Sequence, residues 1–300
     1  MQITKLDQMF ENLKLKKNKR VIAASANDSH TILAIHEAVK MSIVDGILVG
    51  DQAIITRICA EHSIDPGIFT IYHESTDTAA AASAVELIHS REGDFLMKGL
   101  ISSDRFMKAV LNKEKGLMPP GAVLHHVTVT ELSTYHKLLI FGDVAIIPLP
   151  DLSQKVTITN TLIRVAQMLG NPTPKVGLVA ISEQVLPKIQ SCVDAAIICK
   201  MAQRGQIKGA IVEGPLAMDL LVDKESAEIK GVKSEVCGDV DCILFPNVEA
   251  GNVFYKSVTK LMHAELGAVV VGASVPIVLT SRGDSDKCKL LSIALAAMMC

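Results

Sequence analysis

Apolar and polar positions along this chain follow two periods that take turns. "RVIAAS" (residues 20–25) is a short β-branched run, and "NDSHTILAIHEAVKMS" (27–42) then carries apolar residues at helical spacing. "GILVG", "DQAIITRICAEHS", "IFTIYH", "TAAAASAVELIHSR" and "FLMKG" continue the exchange to residue 99. Such alternation predicts a parallel sheet covered by helices. Sheets of this kind bind ligands at the carboxyl ends of their strands. The middle differs: "AVLHHVTVTEL" (122–132) and "KLLIFGDVAIIPLP" (137–150) read as two strand-like runs, the second ended by Pro148 and Pro150. The rhythm restarts with "SQKVTITNTLIRVAQMLG", "KVGLVAIS", "SCVDAAIICKMAQRG", "GAIVEGP", "CILFPN", "GNVFYKSVTKLMHAELG" and "GAVVVGASVPIVLT", and closes on a helix, "KCKLLSIALAAMMC". The softest stretch is "MPPGAVLHH" (118–126). No solenoid repeat or low-complexity linker interrupts the pattern.

Polar residues recur where strand runs end: Lys98, Asp143, Ser182, Glu183, Glu213 and Asn247. Parallel strands bring them to one sheet edge. With 300 residues and 49% hydrophobic content, the core is larger than one lobe usually holds, so two lobes facing across a cleft are expected.

Composition narrows the chemistry. A net charge of -2 leaves no electrostatic footprint for nucleic acid or a membrane surface. Aromatics are 3% and Trp is absent, which argues against binding by stacking. The cysteines (Cys59, Cys192, Cys199, Cys237, Cys242, Cys288, Cys300) form no Cys-x-x-Cys pair, as expected of reduced thiols in a cytoplasmic protein. The N-terminal stretch lacks the apolar core of a signal peptide, and no run reaches the ~18 apolar residues of a membrane span.

Three segments carry spare chemistry. "TSRGDS" (280–285) follows a strand run with Ser281, Arg282 and Asp284 just before the last helix. A guanidinium, hydroxyls and helix N-terminal amides are what a phosphate dianion requires, although Ser281 or Asp284 equally suits a helix cap. "EGPLAMD" (213–219) sets Glu213 after a strand that Gly214–Pro215 is expected to break, with Asp219 opening a helix. Those carboxylates suit a metal, a base or a cofactor amide, or simply a capped turn. "NVEAGNVFYK" (247–256) reads as a turn containing Asn247, Gly251 and Asn252, with Asn252 and Lys256 on one helix face. They suit carbonyl or phosphate oxygens, or a capped helix with a solvated lysine. "MKGLISSD" places Lys98 and Gly99 at a strand exit but matches neither nucleotide-binding glycine loop. His125 and His126 point to opposite faces of a strand, so no metal site is expected from them.

Taken in order, "RGQIKGAIVEGPLAMD", "VEAGNVFYKS" and "PIVLTSRGDSDKCKLLSIALA" resemble the phosphate acetyl/butyryltransferase family, nearest its butyryltransferase branch. "FLMKG", "KAVLNKEKGL" and His126–Val127 extend the resemblance over nearly the whole chain. It implies two doubly wound α/β lobes of the isocitrate/isopropylmalate dehydrogenase type with an interlobe cleft. Residues 1–132 with 271–300 would form the first lobe and 133–270 the second. The implied reaction is reversible: acyl-CoA and phosphate give acyl phosphate and CoA. It uses no metal or redox cofactor, and homodimers or larger homo-oligomers are implied. Arg282 is then the phosphate clamp and Ser281 the oxyanion donor, while Asn252, Lys256 and Asp219 match motif positions that line the cleft. Lys98, Asp143 and Glu213 join them as substrate-binding candidates. Where the family carries an acid beyond the Ser–Arg pair, this chain reads Asp286, Lys287, Cys288, so the base for the CoA thiol is Asp284, Asp286 or neither. Ile147 stands where relatives with "FGDCAVNPDP" have asparagine, and "EGPLA" replaces "DGPLA". The rival readings are a metal-dependent dehydrogenase of the same architecture and a two-lobed sensor without turnover.

Overall fold

The computed structural model describes residues 2–279 and 285–300. Ser281, Arg282 and Asp284 therefore lie outside the described residues. The chain divides into two compact α/β units. A terminal unit comprises Asp7–Leu124 and Leu266–Cys300, and a central unit comprises His125–Glu265 with residues 2–6.

In the terminal unit, helix α1 (Gln8–Lys14) precedes an alternation of strands β1 (Lys19–Ala24), β2 (Val44–Gly50), β3 (Thr70–His73) and β4 (Phe95–Lys98). Helices α2 (Ser29–Lys40), α3 (Gln52–Glu61) and α4 (Asp77–His89) connect them, and α5 (Ser103–Val110) follows. After the central unit the chain returns as β10 (Glu265–Val271), β11 (Ile277–Val278) and α11 (Asp286–Met299). The strand order is β3-β2-β1-β4-β11-β10, parallel except for β10 against β11. Side-chain caps start the connecting helices: Asp28 accepts from the Thr31 N–H and Asp51 from those of Ala53 and Ile54, while Thr76 accepts from that of Ala79. From β1 the chain winds outward through β2 to β3, then crosses back to β4 on the other side of β1. In sheets of this order the crossovers put helices on opposite faces on either side of the reversal, here between β1 and β4, where ligands are expected to bind.

The central unit contains β5 (His125–Glu131), β6 (Leu139–Gly142), α6 (Leu152–Met168), β7 (Lys175–Val179), α7 (Gln190–Gln203) and β8 (Ile211–Leu216). Short helices α8 (Met218–Val222) and α9 (Lys224–Ile229), β9 (Cys242–Leu244) and α10 (Val248–Lys256) complete it. Its strand order is β5-β6-β9-β7-β8, with β5 antiparallel to β6 and the others parallel.

Several boundaries differ from the expected ones. The first unit boundary falls after Leu124, inside the soft stretch, rather than at 132, because β5 pairs with β6. The chain rejoins the terminal unit at Leu266 rather than 271, because β10 pairs with β11. Residues 2–6 go with the central unit through Ile3 N–H to Leu169 O (2.7 Å) and Lys5 Nζ to Glu131 (2.8 Å). The run "KLLIFGDVAIIPLP" is a strand only to Gly142, because the Asp143 carboxylate draws the following N–H groups into a turn. Gly214–Pro215 does not break β8, which runs on to Leu216. β8 is an edge strand, where the missing proline N–H costs no ladder bond.

At the opposite, amino ends of the central strands, Asp239 receives Lys175 Nζ (2.6 Å), Lys137 Nζ (2.9 Å) and His136 Nε2 (2.7 Å). Burial works to raise this carboxyl, but those three hydrogen bonds outweigh it and hold it well below the usual carboxylate range. A depressed folded-state pKa stabilises the native state above the unfolded value of ~3.9 and loses that stabilisation as pH falls through the folded value. Asp239→Asn is therefore expected to lower stability at pH 7 by about 1 kcal/mol, after allowance for solvent screening. In urea titrations at pH 7 and pH 3, the gap to wild type should shrink at the lower pH; an equal gap at both would refute this account.

Among the described residues, no helix is long and apolar enough to cross a membrane.

Candidate functional site

The adjacent exits of β1 and β4 in the terminal unit are built from short side chains and close backbone. Ser25 follows β1, is fully buried at φ 59° and donates its hydroxyl to Asp77 Oδ1 (2.7 Å) at the start of α4. Next to it β4 ends in Lys98, and the following residue is Gly99, where a Cβ would come within 2.3 Å of the Ser25 carbonyl oxygen. Only glycine permits that approach of the two strand exits. Lys98 is buried, and its Nζ donates to the carbonyls of Gly99 (3.2 Å) and Ile101 (3.1 Å). A cation is thus fixed at the exit of β4, where the neighbouring β1 exit leads into α2 and meets the start of α4 through Ser25 and Asp77. β11 lies beside β4 with Val278 opposite Met97, the residue before Lys98.

Asp286 opens α11 after the Ser285 cap, whose hydroxyl accepts from Cys288 N–H (3.1 Å). Its carboxylate is exposed, 3.4 Å from His30 Nδ1 and 3.5 Å from Lys289 Nζ. Cys288 is half-buried. Ser25, His30 and Asp77 were not among the sequence candidates. Ser25 and His30 do carry the same strand-exit signal in "RVIAAS" and "NDSH" that selected Lys98.

In the central unit Asp143 is buried, and its carboxylate accepts from the N–H groups of His126 (3.3 Å), Ala145 (3.0 Å), Ile146 (3.2 Å) and Ile147 (2.7 Å). Both oxygens are occupied by its own loop. Asn247 caps α10 by accepting from Ala250 N–H (2.9 Å), so Gly251 and Asn252 lie within the helix rather than in a turn. Asn252 donates its amide to Val144 O (3.0 Å), and a Cβ on Gly251 would approach Asp143 O to 2.4 Å. α10 is thereby fastened to the loop that Asp143 shapes. Lys256 is exposed, its Nζ 5.1 Å from the centre of the Tyr255 ring. Tyr255 is buried and meets His126 edge-on at 6.1 Å.

Glu213 lies inside β8 rather than beyond it, half-buried, and accepts from Gly214 N–H (3.0 Å). Asp219 is exposed on α8, where the hydrogen bond from Lys230 (2.7 Å) holds its carboxyl below the usual range. Burial pushes the Cys199 thiol up to about 12, with Glu213 adding to the effect, so that sulfur stays protonated and unreactive. A cavity of about 790 Å³ opens at the exits of β7 and β9, walled by Leu149, Ile181, Ile189 and Pro246. The Lys155–Asp194 ion pair (2.6 Å) lines it and is almost fully buried. Among the described residues no three His, Cys, Asp or Glu side chains converge on a metal-sized site.

The strand order and helix connections define a doubly wound α/β protein. A family model described as phosphate acetyl/butaryl transferase matches residues 74–297. Over 297 residues the chain is 41% identical to a phosphate butyryltransferase of Clostridium acetobutylicum, covering 99% of this chain and 98% of that protein. It is 40% identical over 285 residues to a phosphate acetyltransferase of Thermotoga maritima, covering 94% and 95% of the two chains. The crystal structure of a branched-chain phosphotransacylase from Enterococcus faecalis V583 superposes with a TM-score of 0.80 at 29% identity, over 93% of this chain and 98% of the other. At 11% identity, a putative 4-hydroxythreonine-4-phosphate dehydrogenase from Salmonella typhimurium shares the fold alone, with a TM-score of 0.59 over 95% and 100% of the two chains. The chain belongs to the phosphate acetyl/butyryltransferase family, and it is an acyltransferase.

Proposed function

We propose that this protein transfers a short acyl group, butyryl or a branched short chain, between CoA and inorganic phosphate. The observation that carries the reading is the near full-length match to a phosphate butyryltransferase. The buried Lys98 at the crossover of the terminal unit adds support. Phosphate attacks the thioester carbonyl, the C–S bond breaks, and CoA leaves as the thiol once protonated. Holding phosphate against the carbonyl supplies much of the rate. Arg282 clamps its oxygens in a charge-assisted fork, and Ser281 donates to the oxyanion as the carbonyl becomes tetrahedral. Lys98 lends positive potential to the same strand edge. Asn252, by contrast, ties α10 to the Asp143 loop, and Asp143 shapes that loop; both serve by positioning backbone. Acyl-CoA, CoA and phosphate are the only partners this chemistry requires, and it calls for no metal or redox cofactor. We further propose that the protein works in the cytoplasm as a homo-oligomer.

The test is phosphate-dependent CoA release, without added metal, from acetyl-, propionyl-, butyryl- and isobutyryl-CoA. The C4 substrates are expected to give the highest kcat/KM, by at least about thirtyfold over acetyl-CoA for butyryl-CoA, because each of its two extra methylenes in an apolar pocket is worth ~1–3 kcal/mol. A preference for acetyl-CoA would overturn the chain-length assignment, and no phosphate-dependent release from any of them would overturn the reaction.

A further inference from the structure

An imidazole and a carboxylate from two different helices meet at the strand edge of the terminal unit. His30 lies in the first turn of α2 and Asp286 opens α11, with Nδ1 and Oδ1 3.4 Å apart. α2 leaves from β1 and α11 follows β11, the strands on either side of β4 and its Lys98. The two helices pack against each other, and each buries its own apolar residues, such as Ile32 and Ile35 on α2 and Leu291 and Leu295 on α11. Their packing does not depend on this ion pair. The His30 and Asp286 side chains are 66% and 69% exposed, so the pair itself contributes little stability.

The chemistry available to the pair is specific. A carboxylate facing Nδ1 favours the tautomer with the proton there and leaves Nε2 as a proton acceptor. Such contacts are often long without substrate and tighten when it binds. Asp286 follows Arg282, the proposed phosphate clamp, by four residues in the sequence. The reaction needs a proton acceptor, because a thiol attacks only as its thiolate.

We infer that His30, oriented by Asp286, takes the proton from the CoA thiol when the reaction starts from acyl phosphate. This rests on the phosphate acyltransferase reading above. Nε2 removes the S–H proton and the sulfur lone pair forms the C–S bond to the carbonyl carbon. The C–O bond to phosphate then breaks, and phosphate departs with that electron pair. The imidazolium passes its proton to the departing group, which leaves as hydrogen phosphate. In the opposite direction imidazolium protonates the leaving thiolate.

Other charged groups stand around the pair. Lys289 Nζ lies 3.5 Å from the same Asp286 oxygen. Lys287 is engaged by Asp7 at 2.9 Å, and Asp28, the cap of α2, accepts from the Thr31 N–H and hydroxyl.

The experiment uses the full-length protein and follows butyryl-CoA formation from butyryl phosphate and CoA across pH. Wild type should lose rate on the acid side as the imidazole protonates. His30→Gln is expected to lower kcat at least about tenfold and to abolish that acid-side loss. His30→Gly should recover part of the rate with added imidazole, which a merely structural role would not give. Asp286→Asn should lower kcat while keeping the acid-side loss, because Asp286 orients the imidazole and does not itself take the proton. If wild type is active and His30→Gln keeps its kcat and pH profile, the inference fails while the acyltransferase reading stands. If wild type forms no butyryl-CoA and releases none with phosphate, both fail.

Discussion

Arg282→Ala is expected to lower turnover at least about tenfold, with the loss greatest at low phosphate. A planar guanidinium offers two parallel donors to phosphate, and the hydrogen bonds are strengthened by charge on both partners. Removing it weakens phosphate binding and lets the nucleophile wander from the thioester carbonyl, so KM for phosphate rises and kcat falls together. Arg282→Lys should recover only part of the rate, because an ammonium keeps the charge but not the fork. Phosphate titrations of CoA release at fixed butyryl-CoA measure both parameters. Rates like wild type at saturating and subsaturating phosphate would sink the assignment of Arg282 as the clamp. Lys98 also carries positive charge, but its Nζ already donates to two carbonyls of its own turn, so it is not expected to substitute for the guanidinium.

The second large effect concerns stability. Asp143→Ala should destabilise the protein by about 3 kcal/mol, because a buried N–H left without an acceptor costs ~1–3 kcal/mol. The carboxylate serves the N–H groups of His126, Ala145, Ile146 and Ile147 at once, and the residue is 3% exposed. Water reaches part of the loop, which keeps the total below the sum of the individual penalties. Asp143→Asn keeps one acceptor oxygen and should cost roughly half as much. Urea denaturation gives both values. The loop also anchors α10 through Asn252 to Val144 O, so activity should fall with the folded fraction. If Asp143→Ala kept wild-type stability while KM for CoA rose, Asp143 would be a ligand residue instead of a scaffold residue.

The alternation of periods was enough to predict an α/β protein with polar residues at strand exits. That follows from local chemistry: β-branched runs, helical apolar stripes and capping residues act over a few neighbours. Lys98 was selected this way, and it lies buried at the end of β4. The roles of Asp143, Glu213 and Asp219 were not legible. An acid at a strand exit looks the same in sequence whether it faces a ligand, its own loop or a lysine. Asp143 is taken up by a loop, Glu213 lies within an edge strand, and Asp219 is held by Lys230.

Long-range pairing likewise decided the boundaries of the units. The expected break at 132 moved to 124 because β5 finds its partner in β6, and the return moved to 266 because β10 pairs with β11. His30 and Asp286 lie at opposite ends of the chain, and nothing in either segment announces the other. By itself the sequence determined the elements, the motifs of "EGPLAMD", "GNVFYK" and "TSRGDS", and the family they belong to. Tertiary structure alone decided which carboxylates are already engaged and which imidazole meets Asp286. Periodicity and capping depend on neighbours along the chain, whereas partnership between charged groups depends on which strands and helices the fold sets side by side.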